Sequence, residues 1–146
     1  MPGLVKVSEA ASIAIHAMVL MAANPGRMLS AKEIAGVFNL SNAHLAKVMQ
    51  RLVKTGLVVS TRGPAGGFRL SRDPEKLSLR EILEAIEGPL DTGNCLLDPA
   101  VCPGGLCFLG EALANVNRQV LDMLEGQDLA HLTSSYLERH NGASAA

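Results

Sequence analysis

The chain is 146 residues long, carries a formal net charge of −1 and is 48% apolar, which bounds it to one domain, or a compact domain with an appended element, with enough apolar side chains for a real core. Aromatic residues are scarce, with Phe38, Phe68, Phe108 and Tyr136 the full set, and this argues against a single-strand binder that stacks bases on aromatic platforms. No apolar run reaches the roughly 18 residues of a membrane helix, so no membrane partner is expected.

The longest apolar run, Ala10 to Ala23, is interrupted by Ser12 and His16. With only Lys6 ahead of it, Glu9 close by and the turn Asn24-Pro25-Gly26 behind, it reads as a buried helix over 8–23 rather than a secretory signal. The expected location is then cytoplasmic, where cysteines are more often ligands or reactive thiols than disulfides. Ser30-Ala31-Lys32-Glu33 is a capping box that starts a second helix, with Ile34, Val37 and Phe38 on its apolar face. After the short turn Asn39-Leu40, Ser41 is the expected N-cap of a third helix. Its Leu45, Val48 and Leu52 recur at core spacing, and Gly56 ends it. Leu57-Val58-Val59-Ser60 reads as a strand and Phe68-Arg69-Leu70 as its return, joined by the glycine-rich turn Arg62 to Gly67. A second capping box, Ser78-Leu79-Arg80-Glu81, opens a fourth helix bearing Leu79, Ile82, Leu83 and Ile86, and Gly88-Pro89 stops it.

Residues 88–107 hold four glycines, three prolines and all three cysteines, and form a loop with no core of its own. From Phe108 a long helix runs to about Glu125. Leu109, Leu113, Val116, Val120 and Met123 step along it by 4, 3, 4 and 3, a coiled-coil-like stripe that needs a partner. The expected organisation is residues 1–88 as a winged helix-turn-helix, 89–107 as a cysteine-bearing loop, 108–140 as a dimerisation helix with a C-terminal segment, and 141–146 as a disordered tail. The fold class is mainly α with a small β-wing.

Charge is distributed unevenly along this frame. Residues 1–90 carry 11 basic and 7 acidic residues, whereas residues 91–146 carry 2 and 7. Between Ser41 and Arg72 there are six basic residues (Lys47, Arg51, Lys54, Arg62, Arg69 and Arg72) and no acidic one. Each such cation that meets a phosphate releases condensed counterions, so double-stranded DNA is the natural partner. On the third helix Ser41, Asn42 and His44 suit base edges, and Lys47, Arg51 and Lys54 suit phosphates. Arg62 is the candidate to enter a narrow minor groove, with Gly66, Gly67 and Arg69 completing the wing. The bland reading, a solvated face of an ordinary helix, accounts for one helix but not for the wing and the missing acids together.

The cysteines are spaced Cys95-x6-Cys102-x4-Cys107. Three thiolates in one loop can wrap a zinc ion or an iron–sulfur centre, although the spacing is not the paired C-x2-C of a zinc ribbon. The alternative is three unligated thiols.

Helix 1 (VSEAASIAIHAMVLMA), Leu40-Ser41 at the helix-turn-helix, the wing from Arg62 to Phe68, and the cysteine loop leading into FLGEALANVNRQVLDML together resemble the IscR/NsrR-type winged-helix regulators of bacteria, over almost the whole chain. The resemblance implies a homodimer joined through the long C-terminal helix, binding a palindromic operator under the control of an iron–sulfur cluster. Cys95, Cys102 and Cys107 would be ligands, and two-iron and four-iron forms both remain open. In several members of the family a histidine three residues after the last cysteine is the fourth ligand, but here that position is Gly110. Others complete the cluster from the first helix of the partner subunit. One such acidic position matches Ser12, a poor donor, and a neighbouring histidine position matches His16. His16 is therefore the leading fourth ligand, set against a buried core histidine, and Glu111 is the next. Within the same fold, a cluster-free regulator responding through thiol oxidation or a partner protein is the alternative. A small zinc enzyme has no support, because the histidines (His16, His44, His131, His140) are scattered and no nucleophile–base set is present.

Overall fold

Among residues 6–90 and 107–144, which the computed structural model describes, the chain runs through α1 (Glu9–Ala23), α2 (Ala31–Phe38), α3 (Asn42–Lys54), β1 (Val58–Thr61) and β2 (Gly67–Leu70). A single 3₁₀ turn (Pro74–Lys76), α4 (Leu79–Glu87), α5 (Gly110–Gly126) and α6 (Leu129–Ser144) follow. This is the mainly helical, winged helix-turn-helix class that the residue pattern predicts.

Helix α1 is the hub. Ala11, Ile13, Ala14, Ala17, Met18, Val19, Leu20 and Met21 are all buried, on more than one stripe of the helix. A helix apolar on several sides needs neighbours on several sides. It has them in α2, α3, α4, α6 and β2. Met18, Ile34, Leu45, Met49, Leu52, Leu77, Ile82 and Leu129 are the largest fully enclosed side chains of the resulting core, together with Val58.

Local chemistry sets the helix ends. The Ser8 hydroxyl accepts from the Ala11 amide to cap α1. At α2 both arms of the capping box form: the Glu33 amide donates to Ser30 Oγ at 3.2 Å and the Ser30 amide to the Glu33 carboxylate at 2.8 Å. That backbone bond, with the Ser30 hydroxyl and Arg27, holds the Glu33 carboxyl below the usual carboxylate range. At α4 the Glu81 amide donates to Ser78 Oγ at 3.1 Å, but the Glu81 carboxylate is engaged by Arg72 instead of returning to the cap. An ion pair with a guanidinium displaces the reciprocal arm. Helix α3 departs from expectation in one detail: Ser41 is its N-cap residue, yet its hydroxyl makes no capping bond.

The strands pair antiparallel, with Val58 opposite Leu70, Val59 opposite Arg69, Ser60 opposite Phe68 and Thr61 opposite Gly67. Leu29 adds a bridge to the free edge of β2 through two backbone bonds with Phe68, of 3.0 and 2.8 Å. Gly67 lies at φ 146°, and a Cβ there would stand 2.6 Å from the Leu29 carbonyl oxygen. At Gly66 a Cβ would come within 2.1 Å of the Thr61 carbonyl oxygen. Both glycines are demanded by backbone approach.

The C-terminal part corrects the sequence reading in two places. Residues 141–144, expected in a disordered tail, continue α6. That helix packs along α1 and buries Leu129 and Thr133, the threonine hydroxyl donating to the Leu129 carbonyl at 2.7 Å. It is tied in by the Leu129 amide, which donates to the Leu77 carbonyl at 2.8 Å, while the Leu79 amide donates to Gln127. The stripe on α5 also divides. Val120 packs on the core beside buried Leu124, whereas Leu109, Val116 and Met123 are exposed at 39%, 56% and 51%. Arg80 Nη1 reaches Glu125 at 2.7 Å and pins this end of α5 to α4.

Gly67→Ala is expected to destabilise the protein by roughly 1–3 kcal/mol, since it adds both a disfavoured φ and a backbone clash. Chemical denaturation followed by circular dichroism measures this; an unchanged midpoint would show that the Leu29–Phe68 bridge yields without cost.

Candidate nucleic-acid interface and cysteine site

The helix-turn-helix is closed by Asn39, which adopts a left-handed conformation at φ 51°, and by the Leu40 amide donating to the Ala35 carbonyl at 2.9 Å. Asparagine tolerates that region better than most residues. The turn projects α3 with Leu45, Val48, Met49 and Leu52 buried beneath it. Ser41, Asn42, Ala43, His44, Lys47, Gln50, Arg51 and Lys54 are consequently exposed together. The first turn of α3 carries no acid. A carboxylate nevertheless reaches this face from another element: Glu9 of α1 lies 3.6 Å from His44 Nδ1.

The six cations of the acid-free segment do not act alike. Arg72 is paired with Glu81. Arg51 Nη1 donates to the Ile86 carbonyl at 2.9 Å and so helps join α3 to α4. Among the described residues, Lys47, Lys54, Arg62 and Arg69 have no carboxylate partner. Arg62 stands exposed at the wing turn. Arg69, opposite Val59, lines a cleft of about 540 Å³ with the α1–α2 turn, Arg27, Arg72 and Lys76, and is set apart from the wing turn. Gly66 and Gly67 shape the wing by close backbone approach.

Of the cysteine site, Cys107 lies within the described residues, half-buried just before α5, with its carbonyl accepting from the Gly110 amide at 3.0 Å. Cys95 and Cys102 lie outside them. Gly110 is the first residue of α5 and Glu111, exposed, the second. His16 is not the buried core histidine of the bland reading. It is exposed on α1, and its Nδ1 sits 2.7 Å from the Ser12 carbonyl, which can only accept. Nδ1 is therefore the donor in this contact, and in the neutral ring Nε2 is the nitrogen that keeps a lone pair. The ring meets Phe38 edge-on at a centroid distance of 5.1 Å, against the last residue of α2. Among the described residues no three His, Cys, Asp or Glu side chains gather into a metal-holding group.

Three features escaped the sequence reading. Helix α6 has a weak amphipathic pattern, so no periodicity announced it. The Glu9–His44 contact and the Arg51 bond to Ile86 are long-range and leave no local signature.

The family model described as "Rrf2: Iron-dependent Transcriptional regulator" matches residues 7–135. The HTH-type transcriptional regulator NsrR of Shouchella clausii is 33% identical over 124 residues, covering 79% of this chain and 81% of that protein. The structure of CymR, described as the global cysteine regulator of B. subtilis, superposes with a TM-score of 0.79 at 26% identity, covering 90% of this chain and 98% of that one. T. potens IscR superposes with a TM-score of 0.76 at 26% identity, over 91% and 89%. With a helix-turn-helix that exposes a polar, cationic helix face beside a glycine-shaped wing, and with a family model matched along most of its length, the chain belongs to the Rrf2 family and is a DNA-binding transcription regulator, not an enzyme.

Proposed function

We propose that this regulator works in the cytoplasm as a homodimer on a palindromic duplex operator, and that its affinity is governed by an iron–sulfur cluster held by Cys95, Cys102 and Cys107. His16 of the partner subunit is the fourth donor and Glu111 the next candidate. The observation that carries this reading is the state of His16: exposed on the mostly buried α1, its Nδ1 in contact with a backbone carbonyl, and in the neutral ring its Nε2 lone pair left over. That anchoring is the arrangement metal-bound histidines use to fix ring and tautomer. The donor chemistry fits, since three thiolates and one imidazole are soft to intermediate donors. When bound, a cluster supplies iron sensitive to nitric oxide, to oxidants and to cluster supply.

Within the chain, His16 presses on Phe38, one residue ahead of the helix-turn-helix turn, and α1 packs directly on α3. A tether on His16 thereby biases the position of the recognition helix, provided that one arrangement is stabilised over the other. The exposed Leu109, Val116 and Met123 supply the dimer seam, because monomers avoid leaving such a stripe to water. A second reading, a cluster-free regulator responding through its thiols, is favoured by the likeness to the B. subtilis cysteine regulator and by Gly110 in place of a ligand.

In mobility-shift series on genomic fragments, Arg62→Ala is expected to weaken specific binding by about 1–3 kcal/mol, whereas Lys54→Ala weakens all sequences alike and lowers the salt slope by about one. No retarded band with the cluster either present or absent would remove the DNA assignment to α3 and the wing. Val116→Glu, which places a charge on the seam, is expected to dissociate or unfold the dimer; a well-folded wild-type monomer at micromolar concentration in ultracentrifugation would show the stripe misread. After anaerobic reconstitution, Cys→Ala at any of the three cysteines should abolish visible absorption and the cluster-dependent part of DNA binding, and His16→Ala should leave a labile or spectrally shifted cluster. An unchanged spectrum and lifetime in that variant transfers the fourth position to Glu111. Wild-type protein that takes up no iron and sulfide supports the thiol reading.

A further inference from the structure

The segment from Ser41 to Arg72 has no acid of its own, yet the packing of α1 on α3 sets the Glu9 carboxylate beside the recognition helix, 3.6 Å from His44 Nδ1. The two side chains border a shallow pocket of about 170 Å³, with Ala10, Ile13, Lys47, Val48 and Arg51 as the other walls. From the geometry we infer that Glu9 is a specificity-determining residue for operator recognition, acting through the proton of His44.

The reasoning starts from the imidazole. A neutral ring has one N–H and one lone pair, and surrounding charge decides which nitrogen holds which. The carboxylate lies 3.6 Å from Nδ1, so it favours the tautomer that keeps the proton there and leaves Nε2 as the acceptor. The other charged groups at this pocket are the cations of Lys47 and Arg51, and Arg51 is held by the Ile86 carbonyl. In the free protein both partners are largely exposed, at 58% for His44 and 76% for Glu9, where an ion pair contributes little. Against DNA, water is displaced and the same charge acts at lower effective dielectric. An acceptor in the major groove pairs with exocyclic amines, adenine N6 or cytosine N4, and not with the guanine N7/O6 edge. A carboxylate at this point also repels a phosphate displaced into the pocket, and so disfavours misregistered docking.

This inference rests on the reading of α3 as the recognition helix, and the experiment has two arms for that reason. In the first, ¹⁵N nuclear magnetic resonance of the free protein at pH 8 reads the His44 tautomer. Wild type is expected to hold a larger Nδ1–H fraction than Glu9→Lys. In the second, wild type, Glu9→Ala, Glu9→Lys and His44→Ala select from a randomised duplex library at the same pH. Wild type should favour an amine-bearing base at one position of each half-site, by roughly 3- to 10-fold for a single hydrogen bond. His44→Ala should lose that preference alone, Glu9→Ala should weaken it, and Glu9→Lys should move it toward guanine. A tautomer population unmoved by Glu9→Lys overturns the inference whatever the DNA result. A shifted tautomer population with unchanged base preference overturns it as well. Failure of wild type to select any sequence is instead a failure of the recognition-helix reading, recognisable because the first arm still reports on Glu9. Melting curves confirm that the variants fold, as expected for exposed positions.

Discussion

Everything in this protein leans on one buried helix. Because α1 is apolar on several sides, it cannot rest on a surface and must be surrounded, and its neighbours are the helix-turn-helix, α4, β2 and the C-terminal α6. The hydrophobic effect thus joins parts of the chain with no local reason to meet. It also makes α1 the shared wall between α3 and the rest of the molecule. Interiors packed this tightly transmit displacement instead of absorbing it. Of the polar positions that α1 does retain, Glu9 falls beside His44 of α3 and His16 beside Phe38.

The wing is held by a different kind of constraint. Two short strands of four residues each make a poor sheet alone. The Leu29–Phe68 bridge gives β2 a second backbone partner and docks the wing against the α1–α2 connection. Close approach of main chains there leaves no room for a Cβ at Gly67, and the tight turn leaves none at Gly66. The position of Arg62 is set by these backbone contacts rather than by any bond of its own side chain.

Electrostatics then differentiates residues that look alike in the sequence. Six cations in an acid-free run suggest a uniform patch. The fold assigns Arg72 to Glu81 and Arg51 to the end of α4, and leaves Lys47, Lys54, Arg62 and Arg69 for other uses. Arg69 turns toward a cleft shared with Arg27 and Lys76, so the basic surface extends beyond α3.

The sequence by itself determined the boundaries of α1 to α4, the two capping serines at Ser30 and Ser78, the turn glycines and the core positions Leu45, Val48 and Leu52 of α3, because these depend on bonds and spacings within a few residues. It also carried the winged-helix class and the positive sign of the acid-free segment from Ser41 to Arg72. Helix α6 was not legible: its apolar positions are few and weakly periodic, and its stability comes from burying Leu129 and Thr133 against α1 and the Leu77 segment. The division of the α5 stripe into core-facing Val120 and exposed Leu109, Val116 and Met123 was equally hidden, since periodicity defines a face but not what covers it. Tertiary structure alone decided that His16 is exposed and that Glu9 meets His44, because both follow from how α1 is rotated in its bed of neighbours, a global outcome of packing that no local pattern encodes.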